Sequence, residues 1–165
     1  MIAVDTNLLV YAHREESPWH GAALDCIVGL AEGRAPWAIP WPCIHEFLAI
    51  ATHPRIFAPP TPVGRAIAQV DAWLESPTLV MLGEAEGYWG QLKSLLAAGK
   101  VSGTQVHDAR VAAVCRQHGV RELWTADRDF GRFPGLKIRN PLVGRPSARM
   151  PASKRSNRSG GLLLR

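Results

Sequence analysis

The sequence predicts a doubly wound α/β domain, a parallel sheet of four to five short strands with helices on both faces. Two observations carry this reading. Short apolar runs alternate with longer stretches of helical periodicity along the chain, the pattern of βα units whose strands are buried on both sides. Two of the runs, Ile2-Ala3-Val4-Asp5 and Leu123-Trp124-Thr125-Ala126-Asp127, end in an acid, which places a carboxylate where open α/β sheets carry their sites.

The first strand is Ile2 to Val4, and Asp5-Thr6-Asn7 then leads into an apolar turn through Leu8, Leu9, Val10 and Tyr11. Ser17-Pro18 offers an N-cap with proline at the first helical position, opening a helix to about Glu32 that Gly33 closes. Trp37-Ala38-Ile39 reads as the second strand. Pro42 opens a helix through Thr52 whose core stripe is Ile44, Phe47, Leu48 and Ala51, with Glu46 off its centre. After the proline-rich loop from His53 to Pro60, Thr61-Pro62 repeats the capping pattern for a helix to about Glu75. Thr78 to Leu82 is the third strand. Helices follow from about Ala85 to Ala98 and from about Gln105 to His118, stopped by Gly99 and Gly119. Glu122 to Thr125 is the fourth strand, and Lys137 to Arg139 a short fifth after the turn from Asp127 to Pro134.

At 165 residues with 47% hydrophobic composition, the chain suits one domain with a real core. No apolar run approaches the roughly 20 residues needed to span a bilayer, and no basic stretch precedes an apolar leader. A cytoplasmic protein is expected. Cys26, Cys43 and Cys115 are odd in number and lack close-paired ligand spacing, which favours buried thiols over a disulfide framework or a zinc site. The net charge of +5 sits at one end: six of the 19 basic residues and no acid lie in 145–165. The organisation expected is therefore a near-neutral domain over 1–144 and a basic, disordered, dispensable tail over 145–165.

Taken singly, the acids have plain structural roles. Asp5 is placed to cap a helix, Glu46 is an ordinary helical glutamate, Asp108 lies in a helix's first turn, and Asp127 and Asp129 are turn residues. Taken together, Asp5, Glu46, Asp108 and Asp127 converge, because a doubly wound sheet brings its first and fourth strand ends side by side. Such carboxylates repel one another unless a cation balances them. An all-oxygen set suits Mg²⁺ or Mn²⁺ rather than zinc, and the chemistry that follows is metal-assisted attack on a phosphodiester. Thr6, Asn7 and Thr125 are auxiliary candidates for orienting the acids, with capping and turn bonding as the equal alternative. His45-Glu46 opens like a zinc-protease motif, but Ala49 occupies the second histidine position. No nucleophile elbow or Walker-type loop is present. Of the six tryptophans, most should fill the core and at most one or two should touch a ligand.

Val4-Asp5-Thr6-Asn7-Leu8-Leu9 followed by Ser17-Pro18-Trp19-His20, then Glu46 in its helix, His107-Asp108-Ala109 and Thr125-Ala126-Asp127-Arg128-Asp129-Phe130, together resemble the PIN-domain ribonucleases, particularly the VapC toxins of toxin-antitoxin pairs. The resemblance covers roughly residues 1 to 143. It implies a Rossmann-like, PIN-like sheet, Mg²⁺- or Mn²⁺-dependent endoribonuclease activity on RNA, a homodimer, and a VapB-type antitoxin that blocks the acidic pocket. By position, Asp5, Glu46, Asp108 and Asp127 match the family's catalytic quartet, with Asp5, Asp108 and Asp127 on the metal, Glu46 reaching it directly or through water, and Asp129 an auxiliary acid. Two other readings stay open. A haloacid-dehalogenase-like phosphatase also places an acid after its first strand but needs a second two residues on, where this chain has Asn7; a non-catalytic module would use the acidic pocket only to receive a partner's arginine.

Overall fold

The computed structural model describes residues 1–143. The expected tail therefore lies outside the described residues. Five strands, β1 (Ile2–Val4), β2 (Trp37–Pro40), β3 (Leu79–Leu82), β4 (Glu122–Trp124) and β5 (Lys137–Arg139), form one sheet in the order β3-β2-β1-β4-β5, with every neighbouring pair parallel. Six helices accompany it: α1 (Thr6–His13), α2 (His20–Ala31), α3 (Trp41–Ala51), α4 (Val63–Leu74), α5 (Tyr88–Ala98) and α6 (Gln105–Gln117).

From β1 the chain builds outward in one direction through β2 and β3, then returns to lay β4 and β5 on the other side. The order thus reverses between β1 and β4, and a crevice opens beyond the carboxyl ends of strands at such a point. The register fixes which residues reach it. Val4 lies beside Trp124, the Asp5 amide donates to the Trp124 carbonyl at 3.0 Å, and the Thr125 amide donates to the Arg139 carbonyl at 2.9 Å. Asp5 and Thr125 therefore leave the sheet together, 120 residues apart in sequence.

The core is built on large buried side chains with few polar liabilities. Trp37, Phe47, Phe133, Leu8, Leu9, Ile39, Leu82 and Leu123 are essentially inaccessible. Trp37 donates its indole N–H to the Ser76 hydroxyl at 3.2 Å, which removes the cost of a buried unpaired donor. Phe47 meets His13 and Trp73 edge to face, with centroids at 5.3 and 4.8 Å. In α6 the run Val111-Ala112-Ala113-Val114-Cys115 is buried throughout, and its small residues allow the close packing against α5 that the fold requires. Gly119 ends that helix at φ +63°, a left-handed turn that a Cβ would strain. All three cysteines are buried, as expected, and none forms a disulfide among the described residues.

Two local expectations are corrected. The segment read as an apolar turn is the helix α1, and it is buried nearly all round through Thr6, Leu8, Leu9, Val10 and Ala12. Ser17-Pro18 does not begin the following helix, which starts at His20; the Ser17 hydroxyl instead accepts from the Trp19 amide at 3.2 Å, closing a turn ahead of it.

Candidate active site

Asp5 directly follows β1 and stands at the N-cap of α1, yet its side chain makes no capping bond. Its carboxylate, 5% exposed, instead accepts from Asn7 Nδ2 and from the Thr125 hydroxyl, both at 2.7 Å. Thr125 in turn accepts from Asn7 Nδ2 at 2.9 Å and from the Asp127 amide at 3.0 Å, while Asn7 Oδ1 receives the Ala126 amide at 3.0 Å. These bonds tie the first turn of α1 to the segment after β4. Thr6 serves the other side of the crevice, its hydroxyl donating to Glu46 Oε2 at 2.6 Å. Thr6, Asn7 and Thr125 thus bond directly to the acids, and Asn7, which stands where the phosphatase reading needs a second acid, donates to Asp5.

The four predicted acids arrive from four separate places, the end of β1 for Asp5, the middle of α3 for Glu46, the first turn of α6 for Asp108, and the turn after β4 for Asp127. All four line one cleft of about 360 Å³. Asp127 also accepts from the Asp129 amide at 2.8 Å, capping the short 3-10 helix Arg128–Arg132. Asp129 stands outside the lining, with its side chain 60% exposed and 3.5 Å from Arg132.

Burial, first, raises Asp5 from 3.8 to about 6; the Thr125 hydroxyl and Thr6 amide pull it down, and the charge of Glu46 pushes it up. Asp108 is also raised to about 6, by burial and then by the charges of Asp127, Glu46 and Asp129, with Arg132 opposing. The acids therefore feel one another across the cleft. Beneath them the Cys43 thiol, 3.7 Å from Asp5 Oδ1, is held well above its ordinary value by burial and by Asp5.

Among the described residues neither lysine nor arginine lines this cleft, so its negative charge has no internal cation. Nor are any three His, Cys, Asp or Glu side chains among them grouped as a preformed metal cage. Carboxylates set around a roomy cleft fit an oxygen-ligated ion that keeps much of its own water. The residues present match that donor chemistry.

The walls include residues that sequence reasoning left out. Tyr11 sits one helical turn beyond Asn7 on α1, and Ile50 one turn beyond Glu46 on α3; both line the cleft with His107, Phe57 and Phe130. The i, i+4 spacing from a predicted site residue would have found Tyr11 and Ile50. Phe57 is fixed by a contact no spacing encodes, the Arg14 guanidinium 4.1 Å from its ring centroid.

The PIN domain family model matches residues 2–136. Ribonuclease VapC48 of Mycobacterium tuberculosis is 31% identical over 140 residues, spanning 85% of this chain and 97% of that protein. Ribonuclease VapC43 of the same organism is 33% identical over 144 residues, spanning 87% and 97%. Among solved structures, VapC20 of Mycobacterium tuberculosis, described as a sarcin-ricin loop cleaving toxin, superposes with a TM-score of 0.60 at 18% identity over 79% of this chain and 93% of that one. VapBC2 from Rickettsia felis, bound to a promoter DNA fragment, gives 0.59 at 20% identity over 84% and 98%. At those identities the structural likeness speaks to fold.

Proposed function

Because this chain belongs to the PIN-domain family of VapC ribonucleases and is a toxin-type endoribonuclease, we propose that its ion is Mg²⁺ or Mn²⁺, with Asp5, Asp108 and Asp127 as ligands and Glu46 reaching it directly or through water. The observation that carries this reading is a single cleft lined by four acids from four elements and, among the described residues, by no lysine or arginine. When bound, such an ion supplies positive charge to the phosphoryl oxygens and acidifies water at the site. The chain's own residues do the rest. Thr125 and Asn7 fix both the position and the rotamer of Asp5, and Thr6 aims Glu46 into the cleft. Asp5 and Asp108, both near 6 without an ion, each hold a proton below that pH and release it above.

The substrate is RNA, and the bond hydrolysed is a phosphodiester. A VapB-type antitoxin is the proposed inhibitor, supported by solved complexes such as VapBC from Salmonella typhimurium and by the acidity of the cleft. Guanidinium pairs bidentately with carboxylates, so added antitoxin should lower the apparent affinity for metal. A homodimer is proposed on family grounds, and sedimentation would test it. No helix among the described residues is long and apolar enough to cross a membrane.

The decisive experiment compares brief expression of the unaltered protein and Asp5→Asn, with sequencing of cellular RNA ends. New 5′ ends should appear only with the unaltered protein. Purified protein should reproduce them with Mn²⁺ and lose them with chelator; intact RNA under every condition would overturn the nuclease assignment. Metal titration also separates this reading from a purely arginine-receiving pocket, which should show no metal-dependent turnover.

A further inference from the structure

Glu46, His107 and Val111 line the acidic cleft and also a second cavity of about 340 Å³. The two spaces thus share a wall along the seam where α3 meets α6. They share the Glu46 carboxylate and the His107 imidazole, and differ in the rest. The remaining lining of the second is Pro42, His45 and Arg110, a cation and a further imidazole where the first has three more carboxylates. Arg110 is held for use, its Nε donating to Glu84 Oε1 at 2.6 Å with Tyr88 also bonded to it. Its side chain remains 40% exposed, and a guanidinium has further N–H donors in the same plane.

Beside this cavity, one helical turn apart on α3, Trp41 and His45 stack at 6.2 Å between centroids with 28° between their planes. Trp41 is 40% exposed, whereas Trp37, Trp73 and Trp124 are buried in the core. Gly83 lies close by, since an added Cβ there would be 3.7 Å from Trp41 Cδ1. An exposed, pre-oriented ring pair suits a nucleobase, because every base has a π-face and stacking needs no particular sequence.

We propose that this cavity is an RNA subsite: the Trp41–His45 pair stacks on a base flanking the cleaved bond, and His107 and Arg110 hold the phosphate between them. The inference rests on the acidic cleft being the cleavage site and goes beyond it by assigning the path of the strand. A polyanion entering a carboxylate cleft needs an anchor outside it. Arg110 and His45 line the far side of a single shared wall, and His107 stands in the wall itself. The subsite holds RNA in register, and Trp41, His45 and Arg110 act from outside the lining of the acidic cleft.

The probe is an RNA hairpin carrying a cleavage site mapped by end sequencing, with 5-iodouridine at a flanking loop position. Trp41→Ala and His45→Ala should each raise KM about five- to a hundredfold, the range for losing one stacked base. Saturated turnover should stay within about twofold. Trp41→Phe, which keeps a ring, should restore most of the affinity and controls for folding. Illumination of Asp5→Asn bound to the probe should crosslink the peptide containing residues 41–45. Unchanged KM in both alanine variants, or crosslinks that map elsewhere while cleavage is intact, would overturn the subsite. A normal KM with weakened inhibition by antitoxin would overturn it too, by giving the face to a protein. If the unaltered protein with Mn²⁺ neither cleaves nor binds the hairpin, the nuclease reading itself falls and the subsite goes with it.

Discussion

Replacing Asp5 with asparagine should stabilise the ion-free protein while abolishing its cleavage. The carboxylate is raised from 3.8 to about 6, chiefly by burial. A group whose folded value lies above its unfolded one contributes stability that is full below 3.8 and lost as the pH rises through about 6. At about pH 7.5 the ionised side chain therefore costs the fold up to about 3 kcal/mol, and at about pH 5 roughly half of that. Asparagine carries no charge, and its carboxamide oxygen still accepts from Asn7 and Thr125. The variant should melt above the unaltered protein by as much as roughly 6–12 °C at about pH 7.5, for a domain of this size, and the gap should narrow at about pH 5. His13, which burial holds below its usual 6.5, works against acid stability in the same window. It is present in both proteins and cancels in the difference. Mn²⁺ at about a hundred times its dissociation constant should return about 2.7 kcal/mol to the unaltered protein and little to the variant. Thermal melts at both pH values, with chelator and with Mn²⁺, measure all of this. Equal melting of the two ion-free proteins at about pH 7.5, with equal responses to Mn²⁺, would refute the claim that Asp5 is a buried charge waiting for a cation.

Thr125→Val removes a donor to Asp5 and an acceptor for Asn7 and Asp127 at a site 1% exposed; urea denaturation should show a loss of about 1–3 kcal/mol, RNA cleavage should fall, and Thr125→Ser should recover both. Glu122 accepts from Trp124 Nε1 at 2.8 Å and pairs with Lys137 at 2.7 Å, and its value is lowered first by the Lys137 bond. Its stabilisation is present above 4.5 and lost as the pH falls through the lowered value, so the advantage of the unaltered protein over Glu122→Gln in acid melts should shrink on acidification below 4.5, with RNA cleavage at neutral pH unchanged. Phe47→Ala empties the space between His13 and Trp73 and should cost about 3–5 kcal/mol by urea denaturation.

What was legible in the sequence is what has a short-range signature. Buried parallel strands are apolar runs of three to five residues, and the acids that close two of them sit on the run itself. Helices α3, α4 and α6 show through proline at their starts or glycine beyond their ends. Helix α1 did not, because a helix buried nearly all round has no polar face and hence no 3.6-residue alternation to detect. Leu8-Leu9-Val10 in isolation reads equally as a continuation of the strand. Tyr11 was lost with the helix that carries it. Phe57 and the Arg14 contact that seats it join the 53–60 loop to the end of α1, a meeting set by tertiary packing alone. Asp129, two residues from Asp127, stands outside the cleft lining with its amide on Asp127 and its carboxylate beside Arg132, while its charge still raises Asp108.

The hydrogen bonds around Asp5 also explain why the site and the fold stand or fall together. Asn7 bridges to Thr125 across 118 residues, and the same Thr125 receives Asp127 while donating to Asp5. These bonds lie on the β1–β4 seam, where the sheet order reverses and where the strands contribute only three paired positions. Repulsion among the acids pulls that seam apart; the Thr125 hydroxyl and the Asn7 carboxamide oppose it. A cation held by Asp5 and Asp127 would add a bond across the same seam, so its binding energy appears as stability of β1 against β4. Hydrogen exchange at the Asp5 and Ala126 amides, which donate across this seam to the Trp124 carbonyl and to Asn7 Oδ1, should therefore slow on Mn²⁺ addition more than exchange at Thr52, which closes the far end of α3. Uniform slowing at all three would mean that the ion stabilises the domain without acting through this seam.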